Sequence, residues 1–159
     1  MHELHIEQPQ DWWEVEALFD LCFAPAREAL SSYRLRDDVP PVGDLCMVAR
    51  EEGVISGAIR YWPVQITGQR ALLLGPVAVH PTHQGEGLGA HLLNHSLAVA
   101  KDLGWSRAML VGDHGYYSRV GFERLEQVKM PPPTDPARVL GRALIEGAWE
   151  NIQGLVEKA

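Results

Sequence analysis

The stretch from Leu72 to Phe122 constrains this chain more than any other. An apolar run, Leu72-Leu73-Leu74 and then Val77 and Val79, reads as a strand that ends at Pro81. In the loop that follows, Gly85, Gly87 and Gly89 alternate with other residues. A helical pattern then runs from Glu86 to Leu103 and stops at Gly104. At about 100° per residue, Leu88, Leu92, Leu93, Leu97, Val99 and Ala100 share one arc. Glycine lets backbone approach a ligand because no Cβ intervenes. The first turn of a helix has N–H groups without internal partners, and they carry partial positive charge. Strand, glycine loop and helix start together make a site for phosphate or pyrophosphate, so a phosphorylated cofactor is expected.

The flanking sequence places this unit in a mixed fold. Leu4 to Ile6 reads as a strand, and Asp11 as the cap of a helix from Trp12 to Phe23. A weaker helix pattern covers Ala26 to Tyr33, and 37–43 is a loop. Leu45–Arg50 and Val54–Ile66 predict a hairpin around Glu51-Glu52-Gly53. Within the central strand, Ala71 to Val79, Gly75-Pro76 predicts a bulge or a splayed edge, because proline cannot donate to a ladder. Ala108 to Val111 is a strand, and Asp113 caps a short helix ending at Val120. Gly121-Phe122 opens a further strand. After Pro131-Pro132-Pro133, two last strands are expected at Val139–Ile145 and Leu155–Glu157.

At 159 residues the chain is expected to form a single domain, 1–159, burying roughly 70% of its unfolded surface. Cys22 and Cys46 lack CxxC spacing and sit in apolar surroundings, which predicts buried free thiols. No secretory leader or spanning apolar run is visible, so a cytoplasmic protein without membrane association is expected. The net charge of -7, with no basic cluster, argues against nucleic acid and suits a soluble surface.

Gly85-Glu86-Gly87-Leu88-Gly89-Ala90 formally fits the dinucleotide fingerprint G-x-G-x-x-A. The context does not. That fingerprint follows its strand in a tight turn near the start of a βαβ unit. Here five residues separate Val79 from Gly85, the preceding strands are hairpin-linked, and only 46 residues follow Asp113. The same residues read as Gln84-x-x-Gly87-x-Gly89, the Q/R-x-x-G-x-G/A pattern of the GCN5-related N-acetyltransferases (GNAT). Tyr116-Tyr117-Ser118-Arg119-Val120-Gly121-Phe122 resembles that family's FY-x-x-x-GF segment. Tyr33–Arg36, Gly57–Pro63, Leu73–Val79, Val111–Asp113 and the tail from Ala143 to Gly154 are similar to its YhbS-like subgroup, so the likeness spans nearly the whole chain.

The resemblance implies an α/β (α+β) acyl-CoA N-acyltransferase fold. Its sheet is mixed, twisted and mostly antiparallel, with a splayed central strand and helices on both faces. It implies acetyl-CoA as cosubstrate, no metal, and a small-molecule or peptide amine as acceptor; a homodimer is compatible with it. By analogy, Val77, Ala78 and Val79 bind the pantetheine arm through main-chain groups. The loop and helix start, Gln84, Gly85, Glu86, Gly87, Leu88, Gly89 and Ala90, hold the pyrophosphate. Tyr117 is the candidate that protonates the departing thiolate, with Tyr116 as its competitor. No general base stands out; His114 and Asp113 lie near the expected place in sequence, and a water relay is an equal alternative. A non-catalytic acyl-CoA-binding domain is the rival reading, and Tyr117 favours an enzyme over it.

Histidine spacing raises metal binding as a possibility. His91 and His95 are one helical turn apart, but no Glu follows His91, and both fall opposite the apolar arc. They read as solvent-facing, and His80 and His83 as residues that shape the loop. Trp12, Trp13, Tyr61 and Trp62 are either core or acceptor-pocket residues. Arg34, Arg36 and Arg60 either meet an acidic group of the acceptor or pair with Asp37, Asp38 or Glu52.

Overall fold

Among the described residues nine strands form in chain order: β1 (Glu3–Ile6), β2 (Met47–Glu51), β3 (Val54–Ile66), β4 (Gln69–Val79), β5 (Arg107–Val111), β6 (Glu123–Arg124), β7 (Val128–Lys129), β8 (Val139–Ala143) and β9 (Gly154–Lys158). The helices are α1 (Trp12–Cys22), α2 (Ser31–Arg34), α3 (Leu88–Asp102) and α4 (His114–Tyr117). The computed structural model describes residues 2–23 and 31–159. The expected helix from Ala26 therefore lies largely outside the described residues, which retain α2 as its last turn.

The sheet order is β1-β2-β3-β4-β5-β8-β6, with β9 added to β3 and β7 to β9. Pairing is antiparallel except for β4 with β5 and β7 with β9. This is the expected mixed, mostly antiparallel sheet.

Side-chain alternation along the strands separates two faces. Met47, Ala49, Ile59, Tyr61, Leu72 and Leu74 pack against Leu88, Leu92, Leu93, Leu97 and Ala100 of α3. Val48, Ala58 and Ala78 pack with Val15, Leu18 and Phe19 of α1 on the opposite face. A third cluster joins Ala71, Leu73 and Met109 to Trp149, Ile152 and Val156 from the tail. Burial of α3 is nearly complete along its apolar arc, so truncating Leu92 or Leu93 to Ala is expected to cost about 2–5 kcal/mol. His91 and His95 are exposed, as their wheel positions require.

Several boundaries differ from the sequence reading for identifiable reasons. The long helix starts at Leu88 rather than Glu86, because Gly87 has φ +79° and breaks the right-handed run before it. Leu45 closes a 3-10 turn, so its strand begins at Met47. The strand expected to reach Ile145 ends at Ala143, where Leu144 N–H and Ile145 N–H both donate to Ser106 O. Asp11 does not cap α1 with its side chain. It accepts instead from Gln8 N–H at 2.8 Å and from Arg50 Nη2 at 2.8 Å. The Gln8 amide, followed by the Arg50 guanidinium, holds its carboxyl below the usual range against the opposing effect of burial.

Candidate active site

The site begins where β4 and β5 part. Their ladder contains only Leu72 with Ala108 and Leu73 with Met109. β4 continues for six residues beyond Leu73, still paired to β3 on its other side. Ile59 pairs with Val77 and Tyr61 with Leu74, so Gly75 and Pro76 together oppose Arg60. This is a bulge of two residues against one, as Gly75-Pro76 predicted. Gly75 is required there: a Cβ would stand 2.8 Å from Cζ3 of Trp62.

Past the bulge, β4 leads through His80 and a 3-10 turn, Pro81–His83, into the glycine loop. His80 Nδ1 sits 2.8 Å from Thr82 Oγ1 and accepts from Thr82 N–H, so it does shape the loop. Gly85 (φ +88°) and Gly87 (φ +79°) both take the left-handed conformation that side chains disfavour. Gly87 is the N-cap of α3 and supplies no side-chain cap; the first helical N–H with a backbone partner is that of His91, to Gly87 O. The amides of Leu88, Gly89 and Ala90 are thus directed out of the helix end, with the positive pole of a 15-residue helix behind them.

Short helix α4 forms the facing wall. Asp113 Oδ2 accepts from Tyr116 N–H at 3.1 Å and so caps it, as its position predicted. The rings of Tyr116 and Tyr117 meet edge to face at 4.9 Å. Tyr117 packs on Phe122 at 5.9 Å and over Gly112, where a Cβ would lie 2.6 Å from the ring. Burial pushes its phenol up to about 12. Tyr116 is more open, and its hydroxyl lies against Gly89.

Together these elements enclose a groove of about 540 Å³. Of the residues expected from sequence, Val77, Val79, Gln84, Gly85, Gly87, Leu88, Gly89, Ala90 and Tyr117 line it. Ala78 does not; its side chain is buried toward α1, which leaves its backbone. The Glu86 carboxylate is also turned aside, 2.8 Å from His2 Nε2. The His2 contact, and then that of His83 Nδ1 at 3.2 Å, hold Glu86 below the usual carboxylate range. Sequence reasoning missed His83, Arg119 and Val120 as lining residues. Arg119 and Val120 sit within the FY-x-x-x-GF-like segment at its unspecified positions, so only the helical geometry of 114–120 exposes them. His114 and Asp113 are not in the lining; His114 Nε2 is 3.4 Å from Glu123 Oε2.

On the α1 face, Arg60 is nearly buried between Glu7, at 2.9 Å from both ends of a bidentate pair, and Glu16. It does not meet Asp37, Asp38 or Glu52 as one sequence reading proposed. Arg36 stacks between Tyr33 and Trp62, and Arg34 donates to Pro132 O. Tyr61 and Trp62 are core residues, whereas Trp12 and Trp13 are exposed. Trp12 and Trp62 line a small hollow beside Glu7 and Cys46. Cys46 is buried, and burial raises its thiol to about 11. Cys22 is half-buried, so the expectation of two buried thiols holds fully only for Cys46.

The acetyltransferase (GNAT) family profile matches residues 12–122. The chain belongs to this family. Other GNAT proteins align along almost its whole length. The N-acetyltransferase YhbS of Escherichia coli K12 is 30% identical, over 97% of this chain and 94% of that protein. A crystal structure of Escherichia coli YhbS in complex with CoA superposes with a TM-score of 0.86 at 26% identity, covering 99% of this chain and 89% of the other. A GNAT acetyltransferase from Brucella melitensis in complex with acetyl-CoA gives 0.74 at 28% identity, covering 100% and 96%. The splayed strand, glycine loop and long helix of this GNAT chain are thus those of an acyltransferase. Among the described residues no helix is long and apolar enough to cross a membrane.

Proposed function

We propose that this chain transfers the acetyl group of acetyl-CoA to the primary amine of a small molecule or peptide by direct attack. The donor is acetyl-CoA; the two similar GNAT structures described above are complexes with CoA and with acetyl-CoA. The observation that carries the reading is the continuity of one groove, from the opened β4 edge at Val77 and Val79, over Gly85 to Ala90, to Tyr117.

The pyrophosphate rests on the loop and on the outward amides of Leu88, Gly89 and Ala90, where helix polarity favours anions. The pantetheine arm runs along Val77, Ala78 and Val79 as an added strand. This lays the thioester beside the Gly75-Pro76 bulge, where β4 runs unpaired on its β5 side and main-chain N–H groups there stabilise an oxyanion.

Holding a neutral amine against the thioester carbonyl supplies much of the rate. The nitrogen attacks the carbonyl carbon, the tetrahedral intermediate collapses, and the C–S bond breaks with its electron pair going to sulfur. Tyr117 gives its proton to that thiolate. The nitrogen loses one proton through water, which restores the phenol, because neither His114 nor Asp113 lines the groove. A phenol raised to about 12 would be a poor donor to a solvated thiolate. The sulfur, however, leaves in the same apolar surroundings, and burial of this kind lifts a thiol too, as at Cys46.

Free thiols at Cys22 and Cys46 support the cytoplasm as the compartment. A screen of amine acceptors with acetyl-CoA, read by thiol release, tests the reading. Acceptor-dependent release of coenzyme A is expected. Binding of acetyl-CoA without release for any amine class would make the chain a binding domain instead.

A further inference from the structure

At the edge of the groove, which His83 also lines, the densest cluster of metal-ligating side chains among the described residues joins His2, Glu51 and His83, whose ligand atoms lie within 4.8 Å of one another. Glu86 completes it. His83 Nδ1 stands 3.4 Å from Glu51 Oε2 and 3.2 Å from Glu86 Oε2, and His2 Nε2 is 2.8 Å from Glu86 Oε1. His2 Nδ1 and Glu51 Oε2 are 3.9 Å apart. A tetrahedral ion with bonds of about 2.0–2.1 Å holds its ligands roughly 3.3 Å from each other. The three separations that His2 Nε2 and His83 Nδ1 make with the carboxylates, 2.8 to 3.4 Å, are already near that edge length.

A further contact sets this cluster apart from a chance meeting of surface groups. His2 Nδ1 is 2.8 Å from Oγ of Ser56, which is 2% exposed on β3. With Nδ1–H donated to that buried hydroxyl, Nε2 keeps its lone pair and faces the Glu86 carboxylate. Such an outer hydrogen bond, fixing the tautomer and the ring direction, is the usual partner of a metal-bound histidine. Two imidazoles and two carboxylates also balance a doubly charged cation, and the mixed nitrogen and oxygen set suits zinc better than magnesium or calcium. His80 and the helical pair His91 and His95 do not offer this. His80 is engaged with Thr82, and His91 and His95 stand on the exposed face of α3 with ring centres 6.3 Å apart.

We propose that His2, Glu51, His83 and Glu86 form a binding site for a divalent transition cation of the zinc class. It adjoins the groove, which His83 also lines, and its ion takes no part in acetyl transfer. Its ligands come from the start of β1, the end of β2 and the turn before α3, so a bound ion ties the glycine loop to the sheet edge.

Zinc sulfate titrated calorimetrically into the chelator-stripped, untagged full chain tests this. One zinc per chain is expected, with affinity falling roughly tenfold or more in His2→Ala and in Glu51→Gln. Ser56→Ala, which removes only the outer hydrogen bond, should weaken binding by about tenfold. The double variant His91→Ala/His95→Ala should bind as the parent does. Thermal melts confirm that each variant is folded. Absence of zinc binding by the parent overturns the proposal. So does binding that survives His2→Ala and Glu51→Gln, or that is lost in His91→Ala/His95→Ala. A parallel coenzyme A titration of the parent keeps failure of the cofactor reading distinct from failure of the zinc site.

Discussion

A Cβ placed on Gly89 would stand 2.8 Å from the Tyr116 hydroxyl. The first turn of α3 and the wall formed by α4 are therefore spaced for a residue without a side chain. Gly89→Ala should act in two directions. Alanine is a better helix former than glycine by up to about 1 kcal/mol, so melting temperature should hold or rise. The displaced Tyr116 ring should narrow the groove and weaken coenzyme A binding roughly 3- to 10-fold by calorimetry. Adding Tyr116→Ala should restore the affinity. A second change that deepens the loss would show that Tyr116 itself holds the ligand.

Gly87→Val tests the loop by a different route. Open space surrounds the position, so the penalty comes from φ +79° and not from collision. A β-branched residue there should cost about 1–3 kcal/mol of stability. The thermal shift with acetyl-CoA, which follows mass action on the native state, should disappear. An intact shift in this variant would place the pyrophosphate elsewhere.

Tyr117→Phe keeps the ring that packs on Phe122 and Gly112 and removes only the hydroxyl. Turnover should fall roughly 10- to 1000-fold with little change in coenzyme A affinity. With a phenol near 12, the parent's rate should show no alkaline decline from Tyr117 below about pH 10. Steady-state kinetics of Tyr117→Phe beside Tyr116→Phe decide between the two rings: a large loss for Tyr116→Phe alone would transfer the role.

Alkaline stability follows from Tyr61 and Tyr117, both raised by burial. A group whose folded pKa lies above its unfolded value contributes stability below the unfolded value, near 10 for tyrosine, and loses it as pH rises further. Unfolding free energy should therefore drop between about pH 10 and 12. Tyr61→Phe should flatten that drop, while costing about 1 kcal/mol at neutral pH through loss of its 2.8 Å bond to Ser96 Oγ. Denaturant melts across the pH range would measure both; an unchanged slope in Tyr61→Phe would refute the assignment.

Glu7→Gln should destabilise by about 2–4 kcal/mol, because it strips a buried guanidinium of its bidentate partner and leaves Glu16 alone. Glu3→Gln, on an exposed carboxylate of β1, should change melting temperature little.

Features with a short-range physical cause were legible in the sequence. Gly75-Pro76 announced a bulge because proline lacks a donor, and the arc from Leu88 to Ala100 announced the buried face of α3. Asp113 announced its cap. Gly85, Gly87 and Gly89 located the groove before any fold was known. What escaped was set by distant contacts. Nothing near Arg60 shows that Glu7, 53 positions earlier, is its partner. The pairing of two-residue strand β7 with β9 has no local pattern to reveal it. His2 meets Glu86 across 84 positions, a contact that histidine spacing along the chain does not reveal.

The departure of β4 from β5 also bears on how this protein behaves in a tube. Beyond Leu73 a central strand offers unpaired peptide groups along one side, the kind of edge that elsewhere recruits another chain. A ligand lying along Val77 and Val79 would shield that edge from neighbours as well as position it for chemistry. Solutions supplied with coenzyme A should then stay monodisperse at concentrations and storage times where ligand-free solutions begin to self-associate, and light scattering would follow the difference.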